Sequence, residues 1–460
     1  MSLLSAEASR PLKITIGGVR GVVGDTLTPE LLTNFSQAFG TYVGPGRVLV
    51  SRDTRPSGRM VSHCVLSGLA ATGCEVVDLG VCPTAALQLA VKDSDAVGGI
   101  AVTAGHNDAD WNALKFIRAD GIFLNHHQAE ELLNVYHQKE FTKAAWDELR
   151  PVSHDYEAAE RHLEAIRAQL DVETIRAAGL KVAVDCTNGA CSDYTPDFLT
   201  SLGCEVFAMN DDPDLPFPHE PKPTPENLSQ LQALVSAAGA DAGFAHDADG
   251  DRLGVVTEQG EAPGEEYTLC LAAEMVLERG DPGPVVTNLS TTMRVEAVAR
   301  KYDREVIRAR IGQVYIAETA FNHRAAIAGE GSGGIVFPAI NYAHDSIAAL
   351  VHILELIARR GTRLSELVAD IPEYYMVKQT VPCPPQRSFS VLQELREDLR
   401  AEWADEINLE DGIKLIGSDR WVHIRVSMTE PRIWVISEAR GPQLARDLAD
   451  QYTRRVRRLS

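Results

Sequence analysis

Short apolar runs, each closed by a polar or glycine-rich stretch, recur along the chain with helically spaced segments between them. Residues 12–24 read as a short strand running into a glycine-rich turn. Thr28 and Pro29 then open a helix as N-cap and first helical residue. A strand at 47–50, a polar loop at 51–58, a helix at 59–72 and a strand at 75–79 make a βαβ unit. After one more helix, the run 96–102 reads as a buried strand emptying into the polar loop 103–115. Beyond an acidic helical connector (about 127–170) the alternation restarts, with strands at 181–185, 205–209 and 242–245, the stretch Cys-Thr-Asn-Gly-Ala (186–190) followed by a helix to Leu202, a second helix at about 226–238, and an irregular proline-rich loop at 211–225. A third cycle begins near Pro284: strands at 285–289, 304–307 and 325–328, helices at 293–302, 313–323 and 343–359. From there the pattern changes to strands near 375–382, 413–416, 421–426 and 433–438 with helices near 388–402 and 441–457.

Strands alternating with helices predict largely parallel, doubly covered sheets. The expected fold class is α/β: three tandem, similar α/β domains with mixed sheets, then a C-terminal α+β domain. Boundaries are expected at 1–152, 153–262, 263–372 and 373–460. The length of 460 residues suits about three or four domains. A hydrophobic content of 45% with 24% charged residues is ordinary for a soluble protein. The formal net charge of −21 argues against nucleic-acid or anionic-membrane partners, though not against an anionic substrate in a local basic pocket. No signal-peptide pattern opens the chain, and no apolar run approaches the ~20 residues of a membrane span. The eight cysteines form no Cys-x-x-Cys pair, so buried thiols in a reducing cytoplasm are expected rather than a zinc site or disulfides.

Four segments and one arginine carry candidate chemistry. The loop 103–115, Thr-Ala-Gly-His-Asn-Asp-Ala-Asp-Trp-Asn-Ala-Leu-Lys, sets a hydroxyl, an imidazole, amides and a lysine at the carboxyl end of a strand, where α/β sheets bind small ligands. His106 and Lys115 are candidate proton shuttles. Lys115 would serve equally as a charge clamp, and His106 as a hydrogen bonder that orients the loop. Asp247, Asp249 and Asp251 alternate, so in an extended loop their carboxylates converge and a hard cation such as Mg²⁺ relieves their repulsion. Glu258 stands at the twelfth position of a calcium loop, but the sixth, which needs glycine, is Arg252. The run 329–334, Gly-Glu-Gly-Ser-Gly-Gly, lacks the spacing of a dinucleotide fingerprint. In 425–432, Ser427, Thr429 and backbone N–H groups can form an anion nest with Arg425 as charge partner, or a hydroxyl-capped turn. Arg20, between glycines, has room to approach a phosphate, or stands as an ordinary surface arginine.

Together these segments resemble the α-D-phosphohexomutases (phosphoglucomutase, phosphomannomutase, phosphoglucosamine mutase), and the resemblance covers essentially the whole chain. Thr103, Ala104, His106, Asn107, Asn112 and Lys115 fit the family's active-site pattern Thr-Ala-Ser-His-Asn-Pro, Asn-Gly and Lys; its phosphorylated serine falls on Gly105. The aspartates match the family's Mg²⁺ loop, with Arg252 contacting the phosphoryl group. Glu330 and Ser332 match its sugar-reading loop Gly-Glu-x-Ser-Gly-His, whose histidine is Gly334 here, and Arg310 falls where a positive charge is often found. The segment 425–432 matches its phosphate loop, with Met428 for the usual glycine and Trp434 where arginine is often found.

The resemblance implies four domains around a central cleft and an isomerase that interconverts hexose or hexosamine 1- and 6-phosphates. It implies Mg²⁺ and a hexose 1,6-bisphosphate activator as cofactors. With Gly105 in place of the nucleophile, Thr103, ~6–7 Å along the chain, or His106 would have to carry the phosphoryl group. The alternative is a catalytically silent phosphosugar-binding homologue with a sensing or partner role.

Overall fold

The computed structural model describes residues 12–15, 17–402, 406–427 and 430–460. Three sheets repeat one plan. In the first, Arg47–Arg52 pairs in parallel with Glu75–Val81 on one side and Ala96–Val102 on the other, and Ala96–Val102 pairs antiparallel with Trp111–Arg118. The same relations join Lys181–Asp185, Glu205–Met209, Ala242–His246 and Leu253–Thr257. They recur in Val285–Asn288, Val306–Ala309, Ile327–Gly329 and Ile335–Val336. Each sheet therefore reverses its strand order between its first and third strands, the place where α/β sheets open a ligand crevice. The fourth sheet is antiparallel, in the order Tyr375–Pro382, Arg432–Ala439, Arg420–Val426, Ile413–Ile416, Glu406–Asn408. The helices Pro385–Glu402 and Pro442–Leu459 pack on it through Leu395, Leu399, Leu448 and Val456. The fold is three tandem α/β domains plus an α+β domain.

Several elements differ from the sequence reading. The glycine-rich stretch near Arg20 is the strand Gly18–Val22, not a turn, because its backbone pairs antiparallel with Trp111–Arg118. That partner strand carries Lys115, so the active loop ends near Asp110. The helix Glu266–Glu278, which the reading passed over, precedes the third sheet. It is apolar on most sides because it is buried against Ser346–Arg360 in a core shared by the second and third domains. The reading at Thr28 is matched in detail: Thr28 Oγ1 accepts from Leu31 N at 3.3 Å, and Pro29 opens the helix Pro29–Val43. All eight cysteines are free thiols, seven of them buried. Among the described residues no helix is long and apolar enough to cross a membrane.

Polar contacts hold the domains around a cleft. Thr54 Oγ1 donates to Asn188 O at 2.7 Å, Arg118 pairs with Glu318 at 2.9 Å, and buried Lys414 donates to Leu289 O at 2.6 Å.

Candidate active site

In each α/β domain the loop between the third and fourth strands faces the cleft, and the loop after the first strand supports it from behind. In the first domain that support is Arg55, 1% exposed. Its guanidinium donates to Asp53 Oδ2 (2.8 Å), Trp111 O (3.0 Å), Asn107 O (2.8 Å), Asp108 O and Gly105 O. Hydrogen bonds from a charged donor contribute roughly 1.5–3 kcal/mol each, so the loop 103–110 is fixed before any ligand arrives. The sequence reading marked 51–58 only as a loop. The available signal was the one that singled out 103–115: charged residues directly after a buried strand.

Lys115 joins this loop to the aspartate loop. Its ammonium donates to Asp249 Oδ2 at 2.7 Å and Asp251 Oδ2 at 2.9 Å. Burial pushes the Lys115 pKa down, but the two carboxylates more than offset this and hold it raised and protonated. Asp249 also accepts from Thr103 and Thr84, and Asp247 Oδ1 accepts from the backbone of Asp251 and Arg252. Burial, reinforced by Asp249, pushes the Asp251 carboxyl up to about 7; burial also raises Asp247. Asp249 Oδ1 and Asp251 Oδ1 are buried without a hydrogen-bond partner among the described residues. Such a donor set suits a hard cation chemically. As the side chains stand, no group of three or more histidine, cysteine or carboxylate ligands among the described residues is arranged to hold a metal ion.

These groups open onto a cavity of about 360 Å³ with walls from all four domains. Of the residues singled out in the sequence, Arg20, Gly105, His106, Lys115, Asp247, Asp251, Arg252, Arg310, Glu330 and Arg425 line it; Asp249 lies directly behind Lys115. Arg20 donates to Asn107 Oδ1 at 2.6 Å. The cationic field of Arg252, together with burial and Arg20, drives the His106 pKa well below 6.5, so its imidazole is neutral at pH 7. Among the described residues a Cβ at Gly105 would meet only the Asp249 carboxylate, at 3.5 Å, and the Gly105 φ of +56° lies in the left-handed region. The Thr103 hydroxyl shares its one proton between Asp53 Oδ2 at 2.7 Å and Asp249 Oδ2 at 3.1 Å and accepts from Gly105 N at 2.9 Å.

An adjoining cavity of about 270 Å³ shares Arg252, Glu330 and Arg425 and is lined by Ser332, whose buried Oγ has no partner among the described residues. Glu330 Oε1 accepts from Asn288 Nδ2 at 3.1 Å and Gly312 N at 3.2 Å. Side chains from elsewhere fill both sides of the glycine loop. A Cβ on Gly331 would fall 2.0 Å from Glu266 Oε2, and one on Gly334 would fall 2.4 Å from His344 Nδ1. Ser427 sits just past Arg420–Val426 with its N–H donating to Arg432 O at 2.9 Å, and it lines neither cavity. Thr429 lies outside the described residues.

Family profiles for phosphoglucomutase/phosphomannomutase α/β/α domains I, II and III match residues 13–143, 160–260 and 264–375. A probable phosphoglucosamine mutase of Methanopyrus kandleri is 37% identical over 442 residues, covering 96% of this chain and 97% of the relative. A phosphoglucomutase/phosphomannomutase of Thermococcus kodakarensis is 34% identical, covering 94% and 95%. The crystal structure of a phosphoglucomutase/phosphomannomutase family protein from Burkholderia thailandensis superposes with a TM-score of 0.85 at 27% identity, covering 96% of each chain. Matched along three consecutive domains and by relatives over nearly its whole length, the chain belongs to the phosphoglucomutase/phosphomannomutase (α-D-phosphohexomutase) family and is an isomerase of the phosphotransferase type.

Proposed function

We propose that this cleft interconverts the 1- and 6-phosphates of a hexosamine or hexose, and that the phosphoryl group enters with the ligand rather than on the protein. The observation that carries this reading is the convergence of Arg20, His106, Lys115, Arg252, Glu330 and Arg425 from four domains on one cavity. Three arginines and a protonated lysine suit phosphate, and Glu330 and Ser332 suit sugar hydroxyls. The names of the relatives make glucosamine phosphate the first substrate to test. Gly105 offers no side-chain oxygen, so a hexose 1,6-bisphosphate supplies the phosphoryl group directly: the 6-hydroxyl of a bound 1-phosphate attacks the 1-phosphorus of the bisphosphate and loses its proton to a base, the P–O bond to the donor sugar breaks, the donor leaves as the 6-phosphate, and the acceptor becomes the next bisphosphate. The neutral His106 imidazole suits a base that takes the proton of the attacking hydroxyl, whereas the protonated Lys115 serves as charge clamp and proton donor. Asp247, Asp249 and Asp251 would hold Mg²⁺, which when bound would neutralise charge on the transferring phosphoryl group. The buried thiols fit a reducing cytoplasm.

One observation, the missing oxygen at 105, favours an opposing reading in which the cleft binds phosphosugars without turnover. Glucosamine, glucose and mannose 1-phosphates, each with and without the matching 1,6-bisphosphate, separate the two. Bisphosphate-dependent formation of a 6-phosphate supports the mutase; calorimetric binding with no turnover of any sugar supports the silent protein. Intact mass after incubation with bisphosphate reports whether a side chain carries a phosphate.

A further inference from the structure

The loop 329–334 is poor in side chains, yet the cavity beside it contains a buried imidazole with no assigned role. We propose that His344 is a sugar-positioning residue: its ring fills the volume that Gly334 leaves bare and exchanges a hydrogen bond with a hydroxyl of the bound phosphosugar. This rests on the phosphosugar reading of the cleft.

Three observations carry it. First, His344 is 3% exposed, and its Nε2 is buried without a hydrogen-bond partner among the described residues while the ring lines the same cavity as Gly105, Arg252 and Glu330. A buried polar atom left unpaired costs about 1–3 kcal/mol, a cost expected where a ligand supplies the missing partner. Second, the ring and any side chain at 334 exclude one another, since a Cβ there would lie 2.4 Å from Nδ1 and 2.6 Å from Cε1. The absent loop side chain and the inserted imidazole are therefore one exchange. Third, the ring is held in place from both sides. His344 bridges Val336, Asp345 N donates to Ile335 O at 2.8 Å, and the Asp345 carboxylate pairs with His162 at 2.6 Å and caps the helix Ser346–Arg360 through Ala348 N. Side chains fixed in this way orient a substrate without further ordering cost.

The chemistry suits a hydroxyl. Burial holds the His344 pKa down at about 4, with Glu330 opposing and the Arg252 and Lys115 charges assisting. A neutral imidazole offers one N–H donor and one acceptor, as a hydroxyl does.

Calorimetry with glucosamine 6-phosphate and, separately, inorganic phosphate tests this. His344→Phe keeps a ring and loses both nitrogens; His344→Gln restores a donor and an acceptor. The expected result for His344→Phe is about tenfold or more weaker phosphosugar binding, the scale of one lost hydrogen bond, with phosphate affinity and melting temperature little changed. His344→Gln should recover most of the loss, and KM should rise more than kcat falls. Gly334→Ala, which presses on the ring without removing it, should weaken phosphosugar binding in the same direction, and it decides the matter if His344→Phe does not fold. Unchanged phosphosugar affinity in a folded His344→Phe, or equal losses for phosphosugar and phosphate, would overturn the role. Wild-type protein that binds phosphate but no phosphosugar would instead sink the proposed function, and this inference with it.

Discussion

The loops 247–252 and 330–334 occupy the same place in two copies of one sheet, each joining the third strand to the antiparallel fourth. They equip the cleft in opposite ways. The first supplies its own chemistry: three aspartates and Arg252, with Lys115 drawn in from the neighbouring domain. The second has glycine at 331, 333 and 334 and takes neighbours from elsewhere: Glu266 against Gly331, His344 against Gly334, Asn288 and Gly312 on Glu330. A loop rich in functional side chains depends on charge balance. A loop of glycines depends on empty volume, and adding a methyl group damages it.

The largest expected effect is on the charge-balanced loop. Asp249→Ala leaves the buried Lys115 ammonium with one carboxylate and takes an acceptor from Thr103 and Thr84, and should lower unfolding free energy by about 3–5 kcal/mol in urea titrations. A loss under 1 kcal/mol would show that the contacts there are not balanced as described.

Acid should act on both loops through buried histidines. His246 at the end of Ala242–His246 and His344 have pKa values pushed down by burial from 6.5 to about 4. Between pH 6.5 and 4 the unfolded chain binds these protons and the folded chain does not. The contribution of each histidine is therefore full above pH 6.5 and falls as pH drops toward 4, by up to about 3 kcal/mol per histidine, while the raised Asp251 carboxyl acts in the opposite direction over the same range. The difference in urea midpoint between wild type and His344→Phe isolates the share of His344 and should shift in favour of the variant as pH falls from 6.5 to 4.

Gly334→Ala should cost about 1–3 kcal/mol by overpacking. That penalty should shrink sharply in the double variant with His344→Ala, because the ring is what the methyl strikes. Additive losses would break the mutual-exclusion account. The smallest effect belongs to Gly105, where space is open and only the left-handed backbone resists: Gly105→Ala and Gly105→Ser should each cost about 1 kcal/mol. Gly105→Ser should also raise the turnover rate and reduce its dependence on bisphosphate, read from initial rates.

The same contrast explains what the sequence discloses. The aspartate loop and the loop after Val102 were legible because their functional residues are neighbours in the chain. Arg55, His344 and Glu266 were not, since each works on a segment far from it in sequence and nothing at its own position marks the destination. The helix Glu266–Glu278 was passed over because burial on most sides removes the polar face that gives a helix its period. Local sequence puts Lys115 in a loop, whereas pairing across the sheet, invisible locally, extends Trp111–Arg118 around it. The tandem plan was legible because the alternation of strand and helix spacing is itself local.

The most direct test of the central claim, that four separated segments form one phosphosugar-converting cleft, is phosphorus NMR of glucosamine 1-phosphate mixed with the protein, Mg²⁺ and glucosamine 1,6-bisphosphate. The account predicts steady growth of the 6-phosphate resonance, lost when Arg425→Ala is used. No conversion of this sugar, of glucose 1-phosphate or of mannose 1-phosphate, with the bisphosphate present, would contradict it.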